Sequence, residues 1–162
     1  MTKIKIITMK NKLFNTTESW ALIVLRVVLG LVIFPHGAQK LMGWFGGYGF
    51  AGSMNYFTDT VGLPWIVGFI VIMLEFFGAI VLIIGFATRI IAVLYIAIAT
   101  GIIFTSSIQH GFFMNWFGNQ GGEGYEYFLL WIGMSIALVI NGGGKYSLDR
   151  LLLKTTAGDE KK

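Results

Sequence analysis

The sequence predicts an all-α fold: an integral membrane bundle of four transmembrane helices, both termini cytoplasmic, with aromatic, glycine-rich outer loops. Three observations lead there. The 162 residues are 56% hydrophobic and 12% charged, against roughly 25% charge in soluble domains. Apolar windows of bilayer-crossing length follow one another along the chain. The basic residues, with the exceptions of Arg26 and Lys40, fall on one side of those windows, which the positive-inside rule makes cytoplasmic.

Residues 1–19 form a basic cytoplasmic segment with Lys3, Lys5, Lys10 and Lys12. The transmembrane domain covers residues 20–141, with spans at about 20–42, 64–86, 90–108 and 124–141. The first apolar run is longer than the ~7 to 15 residues of a signal-peptide core and is closed by no small-x-small site, so it is expected to remain as an uncleaved anchor. Arg89 lies in the short turn between the second and third spans. The fourth apolar run is short, and it crosses if Glu123 to Glu126 sit at the outer headgroups, which places Glu126 at the membrane rim.

Both outer connections, GWFGGYGFAGSMNYFTDTVGLP and QHGFFMNWFGNQGGEGYE, are rich in glycine and aromatics and are expected to lie on the membrane surface. Trp20, Trp44, Trp65 and Trp116 map to interfaces, whereas Trp131 falls inside a span, where packing is the expectation. Gly142 to Gly144 read as a helix stop. They lead into a cytoplasmic amphipathic tail, residues 142–162, containing YSLDRLLLK and resting on the inner leaflet with Lys145, Arg150, Lys154, Lys161 and Lys162.

Composition also excludes. Without cysteine the chain has no disulfide, thiolate cluster or thiol relay. The net charge of +4 is accounted for by topology, so nucleic acid is not an expected partner. His36 and His110 stand on different spans, and no metal-ligating set is read from them. Thr105, Ser106 and Ser107 are expected to satisfy local carbonyls.

Arg26, His36 and Lys40 in the first span and Glu75 in the second need partners, because a centred charge costs about 2.5 to 3.5 kcal/mol on insertion scales. At 100° per residue the three basic groups fall within about 80° of one another and can face the interior together. Counted from the cytoplasmic end, Arg26 lies ~9 Å deep, Glu75 ~16 Å, His36 ~24 Å and Lys40 ~30 Å. The expected column pairs Arg26 with Glu75, and His36 and Lys40 with Glu126 and Glu123. Gly30 and Gly37 on the same face, and Gly78 and Gly85 on the second span, permit close helix approach. Such a column either fixes helix register or forms a site for an anionic or quinone-like ligand or a proton path.

The pattern R-x(3)-G-x(5)-HG-x(2)-K-x(2)-G from Arg26 to Gly43, LEFFGAIVLIIGFATR with Glu75 and Arg89, GFFMNWFG with GEGYEY, and GGGKYSLDRLL together resemble the DoxX family, over roughly residues 18–153. The resemblance implies a four-helix membrane protein of the inner membrane. It also implies association with a thiosulfate:quinone oxidoreductase or with membrane redox-stress complexes, and motif positions Arg26, His36, Lys40, Glu75, Glu126 and Asp149.

The expected ligand-binding set is therefore Arg26, His36, Lys40, Glu75 and Glu126, with Glu75 and His36 the candidate catalytic groups and a quinone the candidate cofactor. In a redox subunit, Arg26 and Lys40 would offer positive charge while Glu75 and His36 move protons. The competing readings are a non-catalytic subunit docking a partner enzyme through the outer loops or the tail, and a small carrier or proton path; the expected partners are the lipid bilayer and either a partner protein or a homo-oligomer.

Overall fold

Hydrophobic spacing and caps account for the helices of the computed structural model, which describes residues 14–159, with side chains described through residue 153. Lys3, Lys5, Lys10, Lys12, Lys161 and Lys162, and the side chain of Lys154, lie outside the described residues. Among those described, every regular element is helical. Helix α1, Trp20–Met42, opens on Ser19, whose hydroxyl accepts from Ala21 N at 3.2 Å. It closes on Gly43, whose φ of 72° is the left-handed conformation that glycine adopts without steric cost. A short helix α2, Gly49–Asn55, lies in the first outer loop and runs into a π turn, Tyr56–Thr60.

Helix α3, Trp65–Ile84, starts after Pro64 and stops at Gly85, whose N–H reaches the carbonyls of Val81 and Leu82. Helix α4, Thr88–His110, returns to the outer side. These two and α1 are long and apolar enough to cross a membrane. Helix α5, Glu126–Asn141, is shorter at 16 residues, and α6, Leu148–Asp159, follows the last turn. The spans thus differ from the expected bounds by a few residues at their ends.

Helix α1 packs along α3 and also against α5, while α4 lies on α5. The core between them is built of Leu29, Ile33, Leu82, Tyr95, Trp131 and Leu138. Glycines decide how close α1 and α3 come. A side chain at Gly30 would run into Ile83 and the Ala79 carbonyl, and one at Gly37 would overlap the backbone of Glu75 and Phe76. The two helices therefore meet backbone to backbone, the small-residue contact that drives helix association in lipid.

Those contacts also set the depth of α3. Gly37 stands level with Glu75, and Arg26 level with Ile83 and Gly85, so the α3–α4 turn is recessed by about six residues, or ~9 Å, from the start of α1. The chain after α5 fills this recess. The Asp149 carboxylate accepts from Ala87 N at 2.6 Å and Thr88 N at 2.9 Å, while its own N–H donates to Gly85 O at 3.0 Å.

Asp149 thus caps the N-terminus of α4 from a distant part of the chain, where a negative charge also favours the helix dipole. The beginning of the tail is part of the bundle rather than a strip on the leaflet, since Ser147 and Asp149 are buried. Nearby, Arg89 donates to Asn15 O and Val139 O, and Arg150 pairs with Glu18. Asp149→Ala is expected to lower stability by about 2 kcal/mol, the upper end for a lost N-cap because two donors are stranded. Thermal unfolding in detergent checks it, and Asp149→Asn should lose less.

Candidate functional site

A cavity of about 900 Å³ opens towards the outer loops and descends into the bundle. Its floor is chemical rather than apolar. Lys40 Nζ lies 2.5 Å from Glu75 Oε2, with the Glu75 side chain 3% exposed and that of Lys40 27% exposed. Lys40 is one turn outward of Gly37 on α1, but helix side chains lean towards their own N-terminus, which brings its ammonium back to the level of Glu75. His36 stands beside them on the cavity wall. Pro35, just before it, lacks the N–H that would bond the Leu31 carbonyl.

Three π turns border the same cavity: Tyr56–Thr60 with Tyr56 and Phe57, Leu74–Gly78 with Glu75, and Ile103–Ser107 with Thr105 and Ser106. Such turns insert a residue into the helical ladder, re-aim side chains and free carbonyls, and they gather at functional sites. One freed group is accounted for: Tyr95 OH donates to Leu74 O at 3.2 Å. Thr105 Oγ1 donates to Gly101 O at 2.9 Å, the local role expected of it, while also lining the cavity.

The α5 wall carries Tyr127, Phe128 and Trp131. Trp131 packs edge-on against Tyr95, with ring centroids 5.6 Å apart, so it fills the core as expected. Its indole N–H and the Tyr127 hydroxyl are nevertheless buried with no hydrogen-bond partner among the described residues. Unmet buried donors of this kind cost about 1–3 kcal/mol each. Spaced four residues apart, the two aromatics share one face of α5, the sequence signal that a polar handle accompanies their packing.

At the mouth stand Gln109, His110, Gly121, Gly122 and Glu123. The His110 ring lies against Gly122, where a side chain would overlap it. His36 and His110 therefore share one cavity, at its floor and at its mouth. Among the described residues no three His, Asp or Glu side chains converge as a metal-holding group.

Two expected pairings do not form. Arg26 does not reach Glu75; it donates to Ile83 O, and to Tyr146 O at 3.1 Å, at the cytoplasmic recess. The expected depths placed α1 and α3 ends in one plane, and the recessed α3–α4 turn shifts Glu75 further outward, away from Arg26, to the level of Gly37 and within reach of Lys40. Glu126 does not meet His36 or Lys40 either. Its Oε1 accepts from Met114 N at 2.9 Å and Trp116 Nε1 at 3.2 Å, and Glu123 Oε2 accepts from Asn115 N at 2.7 Å. These carboxylates hold the outer loop in shape, because that loop otherwise leaves its backbone donors unpaired.

Fold and site together define a small, multi-pass helical membrane protein with a buried ion pair under a cavity that opens at the long loops. The chain belongs to the DoxX family, whose pattern matches residues 21–107. It is 30% identical over 132 residues to "Putative oxidoreductase CatD" of Bacillus subtilis (strain 168), covering 82% of this chain and 87% of that protein. It is 31% identical to "Inner membrane protein YqjF" of Escherichia coli (strain K12), covering 85% of this chain and 95% of that one. "Inner membrane protein YphA" of the same organism is 29% identical over 85% of this chain and 94% of its own length. No solved structure matches the chain significantly.

Proposed function

We propose that the chain is a membrane subunit of a quinone-linked redox system and that the cavity receives the quinone headgroup. The observation that carries this reading is the buried Lys40–Glu75 pair at the floor of a roomy cavity, with His36 beside it and the aromatic residues Tyr127, Phe128 and Trp131 on the α5 wall. A quinone supplies two-electron redox chemistry, and its carbonyl oxygens are acceptors without a donor of their own, which complements the Lys40 ammonium at the floor. Val71, Ile102 and Phe128 provide apolar walls for a flat ring. Lys40 places a positive charge where negative charge develops, and Glu75 and His36 hold and transfer the protons. The name of the Bacillus subtilis relative accords with an oxidoreductase role. With no cysteine in the chain, no thiol of its own supplies the electrons.

Solvent extraction of the detergent-purified protein, with quinone quantified against protein, tests the reading. Near-stoichiometric quinone in the wild type and background levels in Glu75→Gln and Trp131→Phe are expected. Background quinone in the wild type would sink the proposal for the isolated chain. A docking role is the second reading, favoured by the outer loop, which is pinned by Glu123 and Glu126 yet exposes Phe113, Trp116 and Phe117. It predicts that changes in this loop remove a partner protein while changes at Lys40 and Glu75 act on stability.

A further inference from the structure

We infer that the cavity is a one-sided vestibule, through which water and water-borne ions reach the Lys40–Glu75 pair from the outer face and not from the cytoplasmic face. The inference takes the cavity as the ligand site proposed above, but it stands on geometry that holds whatever the ligand is.

The groups that can carry protons form a graded series within a single cavity. Lys40, Glu75 and His36 lie at the floor, Tyr56 and Tyr127 on the walls, and His110 and Glu123 at the mouth. Hydroxyls of Thr105, Ser106 and Ser107 line the wall between floor and mouth. A roomy passage that carries polar groups from mouth to floor between apolar walls admits water.

On the other side of Glu75 the bundle is dry. Leu29, Ile33, Leu82, Tyr95 and Leu138 form a continuous buried layer, and the Tyr95 hydroxyl is engaged with Leu74 O. Polar atoms on that side, Ser135 Oγ, Thr88 Oγ1 and Arg26 Nε, are buried without a hydrogen-bond partner, as isolated atoms rather than links of a chain. Beyond them the cytoplasmic end is closed by the tail, through Arg26 on Ile83 O and Tyr146 O and Asp149 on Ala87 and Thr88. The Gly37 contact with Glu75 and Phe76 shuts the α1–α3 seam at the floor itself.

It follows that protons exchanged at Glu75 and His36 come from and return to the outer face. A water-soluble reductant or a partner that serves the site must approach from that face as well.

The absence of cysteine makes a direct test available. Single variants Val71→Cys and Ser106→Cys place a thiol on the cavity wall, and Ala92→Cys places one in the buried layer. A membrane-impermeant, negatively charged thiol reagent is added to sealed vesicles of either orientation. Both cavity thiols are expected to react from the outer face at least about tenfold faster than from the cytoplasmic face, since only a solvated thiolate reacts, and Ala92→Cys from neither. Comparable rates from the two faces, or labelling of Ala92→Cys from the cytoplasmic face, would overturn the inference. So would two cavity thiols inert from both sides that label fully once the chain is unfolded.

Adding a water-soluble short-chain quinone separates this from the function proposed above. Slower outer-face labelling supports both. Unchanged labelling with the outer-face preference intact counts against the quinone and leaves the vestibule standing.

Discussion

Lys40→Met is expected to destabilise the protein by about 3 kcal/mol, the lower end of the range for breaking a buried ion pair, because Lys40 is partly open to the cavity. The loss is not the worth of the attraction. It is the cost of leaving the Glu75 carboxylate, 3% exposed, in a low-dielectric floor with no counter-charge. The double variant Lys40→Met with Glu75→Leu removes both charges and should recover most of the stability, while abolishing ligand retention. Unfolding in detergent across this double-mutant cycle measures the coupling. A double variant as unstable as Lys40→Met alone would show that the pair matters through packing, and retained ligand would show that the pair is not part of the site.

Gly37→Val should be comparably severe, at about 3 kcal/mol or more, for a different reason. A new side chain at Gly37 meets the Glu75 carbonyl carbon and the Phe76 nitrogen, which are backbone atoms that no rotamer change can move aside. Helices α1 and α3 would have to separate along the seam that sets the depth of Glu75, so the cost lies at or beyond the upper end for overpacking. Gly101→Ala and Gly133→Ala are the controls, since neither position has a neighbour within 4 Å of a new methyl. They should be neutral or stabilising by up to about 1 kcal/mol through helix propensity. Equal losses at Gly37 and Gly101 would remove the backbone-contact explanation.

The helices were legible because apolar runs of membrane length, interface tryptophans and clustered basic residues are local signals. The polar face of α1 was legible too, since Arg26, His36 and Lys40 share a stripe by helical geometry alone. Their partners were not, because pairing depends on the relative depth of two helices. Gly37 sits level with Glu75 only as a result of a turn recessed beneath the tail, a relation between residues 85–88 and 146–149 that no periodicity reports.

Glu126 misled for a related reason. At a helix start near the rim it reads as a free charge, but the loop folds back and gives it Met114 N and Trp116 Nε1. The π turns around Glu75 and Ser106 lie beyond a 3.6-residue count, which assumes a regular ladder. Asp149 was flagged through family likeness, and its cap on Ala87 and Thr88 supplies the physical reason for a carboxylate there.

Helix α5 bears on the surrounding lipid. Its 16 residues span ~24 Å, whereas the hydrocarbon layer is ~30 Å thick. Helices α1 and α4, of 23 residues each, are long enough to cross it. One flank of the bundle is thus matched to the bilayer and the other falls short. Where α5 crosses the bilayer, the shortfall is met by thinner lipid beside it or by flanking side chains that reach to the interface, at a fraction of a kcal/mol for each ångström. The α5 flank is therefore the side of the protein that responds most to membrane thickness: thin bilayers relieve the shortfall and thick ones enlarge it.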